Sequence, residues 1–174
     1  AQLDRLRQHR IPLTACIDQV AASGGYLMAC IANKIIAAPF AIIGSIGVVA
    51  QLPNFNKLLK KHDIDYEQIT AGDYKRTLTL FGENTEAGRK KSKEDIEQIH
   101  ENFKQHVLTH RPQLDIEKVA TGEHWLARDA MELGLVDELK TSDDFLLDKL
   151  SQYQIIILKQ YKNLSLLEKL TKGS

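Results

Sequence analysis

The sequence predicts an α/β fold with a mainly parallel sheet. Short apolar strands alternate with helical segments in the first half of the chain, beginning with a strand over 13–17, a helix over 26–32 and a strand over 34–38. Since parallel strands need a crossover connection, usually a helix, this order favours βαβ units. A polar segment over 85–109 carries a narrow stripe of apolar residues at helical spacing, which predicts a long helical arm.

The remaining elements follow from the same patterns. Asn54 precedes an amphipathic run and is the expected cap of a helix over 54–62. Gly134 is expected to end a helix over 125–133. Alternation or short apolar runs predict strands over 47–52, 64–70 and 153–158, and helical spacing predicts helices over 2–9, 116–121, 142–150 and 165–170.

Composition indicates one globular domain over 1–174. The 174 residues are 43% hydrophobic and 26% charged, enough for a sizeable core. The 23 basic and 23 acidic residues cancel, so no basic face for nucleic acid is implied. The longest run without charged or amide side chains, 35–50, is interrupted by proline and glycines and is too short to span a bilayer. The chain opens at Ala1 in a helical pattern, and we expect it to be the C-terminal part of a longer protein.

The two cysteines, Cys16 and Cys30, form no C-x-x-C pair, which excludes the usual zinc-ribbon and thioredoxin-type motifs. We interpret both as buried small hydrophobic residues. A disulfide between them stays open, because geometry decides it and sequence does not.

The turn Ser23-Gly24-Gly25 is the strongest chemical signal. It lies between a predicted strand and a predicted helix, where a serine hydroxyl is exposed and the backbone N–H groups lie near the positive end of a helix dipole. The glycines allow another chain to approach the backbone closely. This arrangement suits attack on a carbonyl and stabilisation of the oxyanion. The alternative is a serine that only caps the helix.

A serine nucleophile needs a general base, for which histidine is the usual residue. All six histidines lie in polar segments and are interpreted as solvated surface residues. The spacings of His106 with His110 and of Glu97 with His100 are compatible with metal binding, but no further ligands are evident, so we expect no metal site. The six are His9, His62, His100, His106, His110 and His124.

Lysine is the other possible base, because an apolar site disfavours the charged ammonium. Lys75 lies in the glycine-bounded loop 71–82 and precedes an uncharged stretch, although an ordinary solvated loop lysine fits the composition as well. Ser45 lies between Gly44 and Gly47 in an apolar run, so its hydroxyl is expected to need a buried partner. A neutral lysine amine is one candidate, and a backbone group at a strand end is the other.

Four sequence segments carry a family resemblance. They occur in the order AASGGY (21–26), IGSIGV (43–48), AGDYKR (71–76, followed by GENTE at 82–86) and WLARDAMELGLVD (125–137). Together they resemble the Ser–Lys peptidases of the signal peptide peptidase A family, closest to its single-domain inner-membrane branch. The resemblance implies Ser23 as nucleophile, Lys75 as base 52 residues later, Ser45 as the hydrogen-bond partner of the lysine, and Gly24 N–H as oxyanion donor.

The resemblance also implies a Clp protease/crotonase-like fold, a homo-oligomeric ring and no metal or organic cofactor. The expected activity is a serine endopeptidase acting through an acyl-enzyme on peptides or membrane-derived segments. Ile46, Gly47 and Val48 are the expected substrate-binding residues. The expected location is the bacterial inner membrane with the catalytic domain on the periplasmic side.

One family feature has no match in this sequence. A glycine-rich strand end that supplies the second oxyanion donor is not found in 1–12, and we expect it, with the membrane anchor, upstream of Ala1. Two alternatives stay open. One is a crotonase-like acyl-CoA enzyme, and the other is a non-catalytic assembly subunit that uses its long polar helix as a contact surface.

Overall fold

The computed structural model describes residues 1–158, which fall into two compact units, Ala1–Ser142 and the part that begins at Asp143. The first unit holds the sheets and the core. The described elements are α1 (Gln2–Gln8), β1 (Thr14–Ile17), β2 (Val20–Ala22), α2 (Gly24–Ala29), β3 (Lys34–Ala37), β4 (Ile42–Gly44), α3 (Asn56–Lys61), α4 (Glu86–His110), α5 (Ile116–Val119), β5 (His124–Leu126), α6 (Ala127–Glu132), β6 (Glu138–Leu139) and α7 (Ser142–Lys149).

Two three-stranded sheets organise the first unit. One has the order β1-β3-β6 and is parallel throughout. The other has the order β2-β4-β5, in which β2 and β4 run parallel and β5 is antiparallel to β4. Three of the four pairings within residues 1–158 are therefore parallel. The predicted α/β class, with its mainly parallel sheet and long helical arm, is confirmed.

The core lies between the sheets and helices α2, α4 and α6. Tyr26 of α2 is completely buried, and its hydroxyl donates to the Leu135 carbonyl at 3.1 Å. Buried aliphatic side chains from β3 and β4 also contribute to the core. They include Ile35, Ile36, Ala37 and Ile43.

An ion pair between the buried Arg111 and the partly exposed Asp137 connects the end of α4 to the first sheet. The Arg111 guanidinium donates to both carboxylate oxygens of Asp137 at 2.7 and 2.8 Å and to the Gly134 carbonyl at 2.8 Å. Asp137 also accepts from the Ile35 amide at 2.7 Å. Burial alone would raise the pKa of Asp137, but these hydrogen bonds and the charge of Arg111 hold it below its usual value.

The long polar helix is confirmed as α4. Thr85 caps it by accepting a hydrogen bond from the Gly88 amide at 3.1 Å. Phe103 and Val107 of the predicted apolar stripe are buried, whereas Ile99 is half exposed. The helix therefore packs on the core through its C-terminal half.

Several predicted elements differ from the structure. Segments 47–52, 64–70 and 153–158 form no strand, because no neighbouring strand pairs with them. Most of their side chains are exposed. Phe55, not Asn54, occupies the N-cap position of α3, although Asn54 Oδ1 accepts from the Asn56 amide at 3.3 Å, at the first residue of the helix. The side-chain amide of Asn54 donates to the Thr79 and Gly82 carbonyls. Trp125 lies on strand β5, and the helix begins only at Ala127. The predicted helix over 165–170 lies outside the described residues.

The cysteines are both free. Cys30 is buried as expected, but Cys16 is exposed, so the prediction of two buried cysteines is wrong for Cys16. No helix within residues 1–158 combines the length and the apolarity that a membrane crossing requires.

Candidate active site

Ser23 lies at a sharp turn between β2 and α2. Its backbone has φ 50° and ψ −118°, a conformation that non-glycine residues adopt rarely and at a cost of about 1–3 kcal/mol. The turn is held from both sides, because the Ser23 amide donates to the Gly44 carbonyl at 2.8 Å and the Ser23 carbonyl accepts from the Leu27 amide at 2.9 Å. The side chain is exposed. The strand before it is β2 and not the predicted strand over 13–17.

Ser45 occupies the corresponding position after β4. The parallel register pairs Ala22 with Gly44, so the two serines follow directly at the same edge of the sheet. Ser45 also has a positive φ, of 50°, and its amide donates to the Glu123 carbonyl at 2.6 Å. It is half-buried. Two strained serines therefore lie side by side where their strands end.

Glycines allow the chain beyond β4 to lie against the loop before β5. A Cβ on Gly47 would lie 2.8 Å from the Gly122 Cα, so the two backbones are in direct contact. The Gly122 amide donates to the Ile46 carbonyl at 3.1 Å. Gly44 has φ +102°, and a Cβ there would lie 2.8 Å from the Trp125 ring. The site edge therefore requires glycine at 44 and 47.

The two serines open into a cleft of about 740 Å³. Gly24 lies beside Ser23, and a Cβ added to it would meet nothing within 4 Å. Of the predicted substrate-binding residues, Gly47 and Val48 line the cleft, whereas the Ile46 side chain is completely buried. The other lining residues are Val49, Ile99, His100, Phe103, Thr121 and Gly122.

His100 is a residue of this cleft that sequence reasoning missed. It is half-buried, and its Nε2 lies 3.2 Å from the Ile46 carbonyl oxygen. The interpretation of His100 as a solvated surface histidine is therefore wrong. A signal existed, because His100 is four residues after Ile96 and three before Phe103, which places it on the apolar face of α4.

Two further histidines of α4 are also engaged. His106 Nε2 lies 3.1 Å from the Leu27 carbonyl oxygen, and His110 Nε2 lies 2.9 Å from the Asp4 carboxylate. Both rings are half-buried. Their interpretation as solvated residues is wrong for the same reason, since the C-terminal half of α4 packs against α1 and α2.

Lys75 lies elsewhere in this arrangement. It is exposed and lines a second cleft of about 670 Å³, together with Arg76, Tyr66 and Ile69. Two residues after Lys75, the same loop is hydrogen-bonded to α4, because the Ser92 hydroxyl donates to Thr77 Oγ1 at 2.9 Å. The structure thus brings Ser23, Gly24 and Ser45 together and places Lys75 in a separate cleft. The Ser23–Lys75 pair stays a prediction.

Comparison with known proteins identifies the family. The sequence profile described as Peptidase family S49 matches residues 5–155. The chain belongs to peptidase family S49. Because the signal peptide peptidase resemblance is thereby confirmed, the Clp protease/crotonase-like fold that it implied applies to this S49 chain as well.

Several similar curated proteins are named as proteases. The "Probable protease SohB" of Haemophilus influenzae is 55% identical over 169 residues, which are 97% of this chain and 48% of that protein. The protein of the same name from Buchnera aphidicola (Acyrthosiphon pisum) is 54% identical, over 98% of this chain and 51% of its own length. This S49 chain therefore spans about half the length of the curated relatives it matches.

Among solved structures, the chain is similar to an enoyl-CoA hydratase/isomerase family protein from Hyphomonas neptunium. The identity is 16% and the TM-score is 0.44, over 86% of this chain and 40% of that one. At this level of similarity the match indicates nothing about the reaction.

Proposed function

We propose that this S49 chain carries both catalytic side chains of a serine peptidase, with Ser23 as nucleophile and Lys75 as general base. The observation that supports it most is Ser23 itself, an exposed serine held at φ 50° on a strand-to-helix turn at the edge of an open cleft. Backbone strain is retained where the surrounding structure enforces it, and such residues cluster at reactive sites. A serine that only capped a helix would not require this conformation, and Ser23 makes no side-chain cap hydrogen bond to α2.

The proposed reaction proceeds through an acyl-enzyme. Neutral Lys75 takes the proton of the Ser23 hydroxyl as Oγ attacks the peptide carbonyl. The Gly24 N–H donates to the oxyanion of the tetrahedral intermediate. The Lys75 ammonium then protonates the leaving amine, the C–N bond breaks, and a water molecule hydrolyses the ester with Lys75 again as base.

The proposal requires Lys75 to reach Ser23, since the two residues line different clefts. The segment that carries Lys75 exposes large apolar side chains, among them Ile69 at 96%, Tyr74 at 66% and Leu52 at 44%. Exposed apolar surface of this extent is typical of an interaction site. We therefore include homo-oligomer assembly in the proposal, with this segment at the contact between copies.

The proposed substrates are extended peptides with apolar side chains. Val48, Val49 and Phe103 give the cleft an apolar wall next to Ser23. Beyond Gly47 the chain has strand-forming residues but no strand partner, so a peptide can pair with it edge to edge. Peptides or membrane-derived segments at the periplasmic face of the bacterial inner membrane fit this chemistry.

The test uses Ser23→Ala and Lys75→Ala in the protein with its complete natural sequence, assayed for hydrolysis of apolar peptides. We expect each variant to lose at least about 1000-fold in kcat/KM. Ser151→Ala and Lys57→Ala, exposed residues that are not among those lining either cleft, are the matched controls and should cleave at the unaltered rate. Cleavage at the full rate by both Ser23→Ala and Lys75→Ala would contradict the proposal.

Mixing the Ser23→Ala and Lys75→Ala variants tests whether the base and the nucleophile of one active site come from the same copy of the chain or from two copies. If Lys75 acts on Ser23 of another copy, oligomers assembled from both variants regain part of the activity, because some sites then combine an intact serine with an intact lysine. If both residues act within one copy, the mixture stays inactive.

A further inference from the structure

A cluster of metal-ligand side chains lies apart from the serine cleft, where three helices meet. Cys30 follows the last residue of α2, and His106 and His110 lie one turn apart near the end of α4. One potential ligand atom from each of the three lies within 4.8 Å of the other two. The two imidazole rings have centroids 4.6 Å apart. The i,i+4 histidine pair seen in the sequence thus gains a third, buried soft ligand through the packing of α2 on α4.

The hydrogen bonds of His110 indicate a place for a cation. Its Nδ1 lies 2.9 Å from the His106 carbonyl oxygen, and its Nε2 lies 2.9 Å from the Asp4 carboxylate. An imidazolium donates from both nitrogens, whereas a neutral ring that donates Nδ1–H to the carbonyl turns its Nε2 lone pair toward Asp4. In the neutral form, a cation between Nε2 and the carboxylate is ligated by both. Backbone carbonyls that hold the other nitrogen of a ligating histidine are a common feature of metal sites.

His106 is oriented in a similar way. Its Nε2 lies 3.1 Å from the Leu27 carbonyl oxygen, and that carbonyl also accepts from the Cys30 thiol at 3.3 Å. When Nε2–H donates to the carbonyl, Nδ1 carries the lone pair that a metal needs. The same carbonyl therefore positions two members of the cluster.

Charge and burial fit a divalent, borderline-soft ion. Cys30 is completely buried, and the side chain of His110 is only 11% exposed. A Cys30 thiolate and the Asp4 carboxylate together balance a 2+ charge. The nearby cations are already engaged, since Arg111 pairs with Asp137 and Arg7 donates to the Ile31 carbonyl.

We propose that Cys30, His106 and His110, with Asp4 as fourth ligand, form a zinc site that fastens α1 to the ends of α2 and α4. Sulfur, nitrogen and oxygen ligands in a closed set of four are typical of structural zinc. Bonds of about 2.0–2.3 Å place tetrahedral ligands about 3.5 Å apart, so Cys30, His106 and His110, whose ligand atoms lie within 4.8 Å of one another, close by about 1 Å on binding. Asp4 lies outside this group of three and moves further, from its contact with His110 Nε2 toward the other two ligands. Binding replaces the Cys30 S–H bond by a Zn–S bond and releases the proton to solvent.

The test is a titration of the purified metal-free protein with Co²⁺, which reports thiolate ligation as a charge-transfer band and tetrahedral geometry as visible d–d bands. We expect one Co²⁺ per chain, displaced by Zn²⁺. Cys30→Ser should abolish the charge-transfer band and weaken Co²⁺ binding at least about 100-fold, and Asp4→Asn should weaken it about 10-fold. Cys16→Ser, the matched loss of an exposed cysteine, should leave both unchanged.

Three further variants keep the test independent of folding and of the peptidase. His110→Asn should weaken Co²⁺ binding as Cys30→Ser does, while the exposed His124→Asn should not, with circular dichroism confirming the fold of each. Ser23→Ala should retain the full cobalt spectrum, since the site does not depend on the proposed catalysis. No cobalt–thiolate band in the wild type, or a band that persists in Cys30→Ser, would overturn the zinc site.

Discussion

The two clefts of this chain are built in different ways. The serine cleft is formed by the ends of paired strands, with Ser23 and Ser45 each fixed by a backbone hydrogen bond to the neighbouring segment. The lysine cleft is lined by segment 52–81, which has no strand and exposes most of its side chains. The proposed nucleophile, Ser23, is therefore held in place by the core, whereas the proposed base, Lys75, lies in a segment that the core does not hold.

The largest expected contrast comes from two glycines with positive φ. Gly44→Ala should lower the free energy of unfolding by about 3 kcal/mol, because the new Cβ is strained at φ +102° and also meets the Trp125 ring at 2.8 Å. Gly72→Ala, at φ +93° in open space, should cost only about 1 kcal/mol. Urea unfolding of both variants measures the difference. Equal losses would show that the two regions are equally packed.

The ion pair of Arg111 with Asp137 gives the next contrast. Asp137→Asn should lower the free energy of unfolding by about 2–3 kcal/mol, since Arg111 is left buried without a countercharge. Glu138→Gln, one residue further and paired only with half-exposed lysines, should cost about 1 kcal/mol or less. A loss for Glu138→Gln as large as that for Asp137→Asn would contradict this assignment of the core.

The same pair predicts a dependence on acid. Because the folded-state pKa of Asp137 is lowered, its stabilising contribution is complete above its unfolded value of about 3.9 and is lost as pH falls through the folded value. The stability gap between wild type and Asp137→Asn should thus be constant near neutral pH and shrink below about pH 4. A gap that is unchanged down to pH 2.5 in urea unfolding would refute the lowered pKa.

The smallest effect is expected in the lysine segment. Ile69 is 96% exposed, so Ile69→Ser should change the free energy of unfolding of the single chain by no more than about 0.5 kcal/mol. Urea unfolding, measured at a protein concentration too low for copies of the chain to assemble, checks this. A loss of 2 kcal/mol would mean that Ile69 packs against the core after all.

The sequence predicts the elements that have local signals, and it fails for the elements that depend on a partner elsewhere in the chain. The turn at Ser23 and the helix α4 were predictable, because glycine spacing and an apolar stripe are local signals. Strand β2 was missed because three residues carry too little pattern. The strands over 47–52 and 64–70 were predicted from β-forming residues, but a strand needs a partner, and partners are not written in the local sequence.

The candidate site also contains residues that sequence motifs predicted and residues that only the tertiary packing reveals. Ser23, Gly24, Ser45, Gly47 and Val48 were named from motifs and lie in one cleft. His100 was missed because its polar neighbours outweighed its place on the apolar face of α4. Cys30 and Asp4 could not be joined to His106 and His110 in advance, since only the tertiary packing of α1, α2 and α4 brings them together.

The most direct test of the central claim is covalent labelling with a fluorophosphonate, followed by mass mapping of the adduct in the protein with its complete natural sequence. We predict a single adduct on Ser23 Oγ, formed at least about 100-fold more slowly when Lys75 is replaced by Met. An adduct that forms on Ser23 at the same rate without Lys75 would contradict the dyad. The absence of any adduct on Ser23 would contradict the serine peptidase itself and leave the acyl-CoA alternative.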